Sequence, residues 1–195
     1  MLAKGRPKKI TKSNIASKCL ELYWSKGIQN VTYNEAIKYS NCSKPTVYNL
    51  FKNEDELQAK TLEYYHNNYL VKFENIINKK DNILDFIEFI FQNIKSTVCY
   101  FEISNNNRHL LGKLTKAYIV KTEKKFKKVI YNVITRHVEK FKLKVHDNEI
   151  SDLAVYLKHN ISLVHTLKLN KADEKDFVII KNAMIKNVKL SLSHL

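Results

Sequence analysis

Residues 32–57 read TYNEAIKYSNCSKPTVYNLFKNEDEL, and the spacing inside this stretch specifies a shape. Thr32 followed three residues later by Glu35 is a capping box, in which each side chain satisfies a backbone N–H that the first helical turn leaves unpaired. The helix that starts there is short, because Asn41-Cys42-Ser43 supplies turn chemistry. Ser43 is itself a good N-cap for a second helix, and Pro45 falls in that helix's first turn, where a missing N–H costs nothing. Two short helices meeting at a tight corner make a helix-turn-helix, so the segment predicts DNA binding. The start of the second helix, with Lys44, Pro45, Thr46, Tyr48 and Asn49, is the part that enters a major groove. Lys suits guanine, Asn suits adenine and the Thr methyl suits thymine.

Working outward, residues 11–26 carry a buried stripe of Ile15, Ala16, Cys19, Leu20, Leu22 and Tyr23 at helical spacing, ended by Gly27. Val31, Ala36, Ile37, Val47, Leu50 or Phe51, and Leu57 then close a three-helix core. Asn53 caps a fourth helix whose first turn is acidic (Glu54, Asp55, Glu56), as the helix dipole favours, and which runs on to about Lys79. A largely buried apolar helix follows over 83–100. One or two helices fill 109–141, and two terminal amphipathic helices occupy 147–169 and 173–192, a pair suited to forming a four-helix bundle with a twin pair from a second subunit. Three Gly and two Pro in 195 residues leave little material for tightly turned sheets. The expectation is an all-α chain: residues 1–57 a DNA-binding domain with a basic N-terminal arm, residues 58–195 a larger helical domain for ligand binding and dimerisation.

The net charge of +15 favours a polyanionic partner, but its distribution tempers that. Residues 1–60 carry 11 basic and 5 acidic side chains, whereas residues 113–144 alone carry 11 basic and 2 acidic. The densest charge lies outside the helix-turn-helix, interleaved with apolar residues as on the solvated face of an amphipathic helix. No apolar run approaches the roughly 20 residues of a bilayer span, so no membrane insertion and a cytoplasmic location are expected. Cys19, Cys42 and Cys99 show no metal or disulfide spacing, and the seven histidines are scattered. With no Gly-rich phosphate loop and no nucleophile elbow, neither an enzyme nor a cofactor is expected.

The segment from about Ile10 to Leu57 resembles the DNA-binding domain of the TetR/AcrR family of bacterial regulators. The resemblance is carried by Ala16 and Leu20 to Gly27, Val31-Thr32, and Ser43-Lys44-Pro45-Thr46-Val47-Tyr48-Asn49-Leu50-Phe51 followed by Leu57. It implies three helices for DNA, a connecting fourth, a larger helical domain with a ligand cavity, and a homodimer joined through the last two helices. The implied function is a transcription regulator, most often a repressor, released from a double-stranded operator by an unidentified small-molecule effector. Thr32, Ser43, Tyr48 and Lys52 are the implied backbone contacts. Phe86, Phe89, Ile90, Tyr100, Tyr118 and Phe126 are candidates for the cavity wall.

Departures from the family pattern are specific. Ala36-Ile37 replaces the usual Ile-Ala, and Ser40-Asn41 replaces a frequent Ala-Gly, where Asn still tolerates a left-handed turn. Glu54 stands where the family commonly has a phosphate-binding Lys, with Lys52 the substitute, and Leu50 stands where an aromatic or His often touches the backbone. These two positions support a second reading, a helical protein-interaction module with a weakened DNA face. Lys4-Gly5-Arg6-Pro7-Lys8-Lys9 resembles the Gly-Arg-Pro core of an AT-hook, so Arg6 and Lys8 are expected to lie in an A/T-rich minor groove.

Overall fold

The computed structural model describes residues 10–94, 108–169 and 171–193. Arg6, Lys8, Cys99 and Tyr100 lie outside the described residues. Helix α1 spans Lys12–Lys26 and starts from a reciprocal Thr11/Asn14 capping box. It buries the stripe read from the sequence, Ile15, Ala16, Cys19, Leu20, Leu22 and Tyr23. Gly27 ends it at φ 80°, a conformation that side chains with a Cβ resist, and sends its N–H back to the Tyr23 carbonyl at 2.9 Å.

Helices α2 (Tyr33–Tyr39) and α3 (Lys44–Leu50) follow, and the corner between them is a left-handed Asn41 at φ 52°. The Lys18 ammonium ties this corner to α1 by donating to the Ser40 carbonyl at 2.8 Å. Val47 and Phe51 are wholly buried, each worth on the order of 1.5–3 kcal/mol of apolar burial. Leu50 is half-buried against the same core.

Helix α4 spans Glu54–Tyr65 and α5 spans Val71–Ile77. The expectation of one unbroken helix to Lys79 is corrected here: a π turn over His66–Leu70 separates them, and the extra residue it accommodates rotates everything beyond it. Helix α6 covers Ile83–Gln92, and the remainder of the helix expected over 83–100 falls largely outside the described residues. The 109–141 region holds one long helix, α7 (Lys113–Phe141), ended by left-handed Lys142 at φ 53°. Helices α8 (Asp147–Leu169) and α9 (Glu174–Ser193) complete the described chain, whose described residues form no strand.

Two cores result. The head core gathers α1 to α4 around Ile15, Tyr23, Ile37, Val47 and Phe51, and it also takes Leu62 of α4, Leu111 from just before α7 and Ile119 from early in α7. The larger core packs α5 to α9 around Ile77, Phe86, Ile130, Leu157 and Met184, and includes Leu20 of α1. Each core therefore borrows side chains from across the Leu57/Gln58 boundary. Helix α4 packs on both α1 and α7, which places it as the shaft between the two.

His165 sits in α8 at 1% exposure with Nδ1 2.7 Å from the Ile161 carbonyl. Burial lowers its pKa from 6.5 to about 4, against the opposing pull of that bond. The imidazole folds neutral, so the unfolded chain binds the proton first. The loss of stability starts as pH falls through 6.5 and is complete below about 4. In denaturant titrations, the drop in stability between pH 7 and 4 should be smaller in His165→Leu by about 3 kcal/mol.

Candidate nucleic-acid interface and its coupling

The face presented by α3 is built from its caps upward. Ser43 Oγ accepts from the Thr46 N–H at 3.3 Å, and the two hydroxyls bond each other at 2.8 Å, so Thr46 is half-buried with its hydroxyl committed to the cap. Lys44, Pro45, Tyr48 and Asn49 are exposed along one side. Tyr48, 49% exposed, is buttressed edge-on by the Tyr33 ring at 5.5 Å. Tyr33 in turn donates its hydroxyl to the Phe51 carbonyl at 3.1 Å. Tyr33 was not among the residues singled out in the sequence, because its role depends on a ring that lies fifteen positions along the chain.

Thr32 is exposed, but both of its donors are occupied. Its N–H and hydroxyl are given to Glu35 Oε2 at 2.9 and 3.0 Å, and Glu35 also pairs with Lys26 at 3.3 Å. Those backbone and side-chain hydrogen bonds from Thr32 and the Lys26 contact hold the Glu35 carboxyl below its usual pKa. Lys52 is exposed, with its backbone N–H held by Glu56 Oε2 at 2.9 Å and no hydrogen bond or ion pair to its ammonium among the described residues. Glu54, the departure from the family pattern, is half-buried. Burial pushes its pKa up while the Tyr33 backbone N–H and the Gln58 amide bond its carboxylate. It holds the start of α2 against the start of α4, a structural task in place of a phosphate contact.

Asp55 makes the longest-range polar contact of this region. Its carboxylate accepts the Leu114 and Thr115 N–H groups at 2.8 and 2.9 Å and the Thr115 hydroxyl at 2.6 Å. It thereby caps α7, whose own N-cap, Gly112, has no side chain to do so. Burial opposes ionisation, but these bonds outweigh it and keep the Asp55 carboxyl below its usual pKa. A Cβ on Gly112 would lie 2.1 Å from Asp55 Cγ, so glycine is what lets the carboxylate approach.

Of the expected ligand-wall residues, Tyr100 lies outside the described residues and the others take different positions. Phe86 and Ile90 are core at 0 and 2% exposure. Phe89 is half-buried against Phe73, ring centroids 4.9 Å apart, and Phe126 packs on the larger core. Tyr118 opens onto a cleft between α4 and α7, beside His66, Lys121 and Lys125. Those neighbours escaped sequence reading because they are polar and about sixty positions apart. Among the described residues no helix is long and apolar enough to cross a membrane.

No protein-family model and no characterised protein matches the chain in sequence. Solved structures do match in shape. The reduced form of E. coli NemR superposes with a TM-score of 0.70 at 14% identity, covering 91% of this chain and 95% of that one. A cysteine mutant of the TetR family transcriptional regulator CifR, complexed with 26 bp of double-strand operator DNA, also gives 0.70 at 9% identity, covering 97% and 99%. A Cytophaga hutchinsonii TetR family regulator gives 0.66 at 10% identity. The chain has the fold of the TetR family regulators. In that TetR fold, the Asp55 cap joins the helix-turn-helix head to the larger helical half. Because Asp55 and Gly112 act as a unit, Gly112→Ala should cost about 2–4 kcal/mol in urea unfolding of the parent. The same change in an Asp55→Ala background should cost distinctly less.

Proposed function

We propose that this chain is a homodimeric, DNA-binding transcription regulator of the TetR type, a cytoplasmic repressor released by a small ligand. The observation that carries the reading is the side of α3 bearing Lys44, Pro45, Tyr48 and Asn49, which is exposed at the start of a correctly capped helix beside exposed Lys52. Lys44 and Asn49 read base edges, with the Thr46 methyl against a thymine. Tyr48, Lys52 and the Ser43 end of the helix hold the phosphate backbone. Thr32 joins them only by exchanging Glu35 for a phosphate. Arg6 and Lys8 follow the adjacent minor groove. The described regulator CifR, bound to operator DNA, supports the same use of the fold.

The dimer reading rests on what α8 and α9 leave outside. Their stripes Ile150, Leu153, Leu157, Ile161 and Val164, and Met184, Val188 and Leu192, are buried within the chain. Leu163, Val178, Ile179 and Leu190 remain 42–65% exposed, an apolar set that a second copy of the pair would cover in a four-helix bundle. Two heads fixed in this way meet half-sites about one helical turn apart.

A mobility-shift assay with DNA upstream of its own coding region should give a specific, salt-sensitive band, and absence of such a band overturns the reading. Lys44→Ala should cost about 1–3 kcal/mol and relax base preference. Deleting residues 1–9 should weaken binding and lower the log–log salt slope by about two. Val178→Glu with Ile179→Glu should leave helicity intact by circular dichroism, convert the dimer to monomer in sedimentation equilibrium, and abolish the specific band.

A further inference from the structure

Between α4 with its π turn and the first half of α7 lies a cleft lined by Glu63, His66, Asn67, Tyr118, Lys121 and Lys125, of about 620 Å³. A second hollow of about 480 Å³, nearer the head, shares Glu63, Tyr118 and Lys121 with it and adds Ala59, Leu114 and Ala117. Either is in the size range of small-ligand sites, and together they offer a polar floor with an apolar extension.

The charges in this furrow nearly cancel. Glu56 is paired with Lys12, Glu63 with Lys60 at 2.8 Å, and Glu74, only 6% exposed, with Lys125 at 2.6 Å. Lys125 also donates to His66 Nε2 at 3.2 Å. That contact uses the Nε2 lone pair, so the neutral ring of His66, 7% exposed, carries its proton on Nδ1, a buried atom with no partner among the described residues. Among the described residues Lys121, alone of these ammonium groups, has no paired carboxylate, and it is near enough to oppose protonation of His66. The Tyr118 ring stands edge-on to His66 with centroids 6.5 Å apart, and its hydroxyl has no hydrogen-bond partner among the described residues. Burial, with the Glu63 and Glu74 charges, pushes its pKa up to about 12, so it remains a hydrogen-bond donor throughout the physiological range.

We infer that this furrow is the effector site and takes a small monocarboxylate, its carboxylate held by the Lys121 ammonium and the Tyr118 hydroxyl and its apolar body lying along Ala59, Ala117 and Leu114. One unspent positive charge beside one unspent neutral donor matches one carboxylate, and a dianion or a cation would leave a charge unbalanced. The assignment of the site to regulation rests on the DNA-binding reading above, whereas the binding itself stands on the cleft. A ligand seated here touches both α4, which begins in the head, and α7, which Asp55 fastens to it. It is placed to bias their relative position to the extent that it binds one arrangement better than another.

Titrations of the full-length protein without DNA test the site, using hexanoate and benzoate against hexanamide and benzamide at up to about 10 mM, the weak-affinity range of fragments this small. The acids should bind and move the His66 imidazole resonances in ¹H–¹⁵N spectra, and the amides should not. Lys121→Gln should weaken acid binding by roughly tenfold, the effect of one charge-assisted hydrogen bond. Tyr118→Phe should weaken it several-fold, and Lys124→Gln, on the exposed side of α7, should leave it unchanged. Amides that bind as well as the acids, acids that do not bind at all, or unchanged affinity in Lys121→Gln each overturn the inference. Failure of operator binding with acid binding intact would sink the regulatory reading and leave the site standing, and the converse would sink the site alone.

Discussion

One carboxylate holds the two halves of this molecule in register. Asp55 belongs to the first turn of α4, where its charge already suits the helix dipole, yet its oxygens are spent on the first N–H groups of a different helix, α7. The partner helix has glycine at its N-cap and cannot cap itself. Leu111 and Ile119, flanking this contact, enter the head core, while Leu20 of α1 enters the larger core. The polar cap sets the register and the apolar exchange supplies the adhesion. A head joined only by a flexible connector would transmit nothing from the larger half. A head joined by a capped helix and shared cores turns with it.

The departures from the family pattern become intelligible in the same terms. Glu54 and Leu50 suggested a weakened DNA face, but both are half-buried and engaged inside the head, Glu54 with the Tyr33 N–H and Leu50 with the apolar core. They are structural, and the exposed positively charged and hydrogen-bonding groups are left at Lys44, Tyr48, Asn49 and Lys52. Thr32 is the reverse case: its position is exposed, but its donors are consumed by Glu35. The formal charge is likewise distributed by structure, since much of the lysine on α7 pairs with Glu74 or Asp81 or faces solvent.

What was legible in the sequence follows the range of the interaction. The caps at Thr32, Ser43 and Asn53 and the left-handed corner at Asn41 depend on partners within four residues, and all were readable from spacing, as was the complete buried stripe of α1. The 147–169 helix was readable because its period is unbroken. The Asp55–Thr115 cap, the Lys125–Glu74–His66 cluster and the Tyr33–Tyr48 contact depend on partners fifteen to sixty positions away, where no local signal exists. The π turn left no mark either, because HNNYL has no breaker and side-chain packing selects it. Aromatic periodicity marks buried positions without separating core from cavity wall: a helix rich in Phe and Ile lowers its free energy by filling space, and Phe86 and Ile90 are packed in the core.

That contrast bears on where a signal can enter the molecule. A well-packed apolar core is stiff and close to a single arrangement, so a ligand gains little leverage by pressing on Phe86 or Ile130. The α4–α7 furrow differs: among the described residues its buried His66 Nδ1 and its Lys121 ammonium have no partner, and satisfying them lowers the free energy of whichever arrangement brings a partner. An unsatisfied buried donor costs on the order of 1–3 kcal/mol, and a shift of that size changes a two-state population by roughly five- to 150-fold. The π turn places this imbalance just beyond the end of α4, and the Asp55 cap fastens the start of α7 to the other end of α4, in the head. His66 and Lys121 thus lie on the two elements that reach the head, the π turn that continues α4 and the helix that Asp55 caps, so a partner that favours one arrangement of these helices bears on the helix-turn-helix.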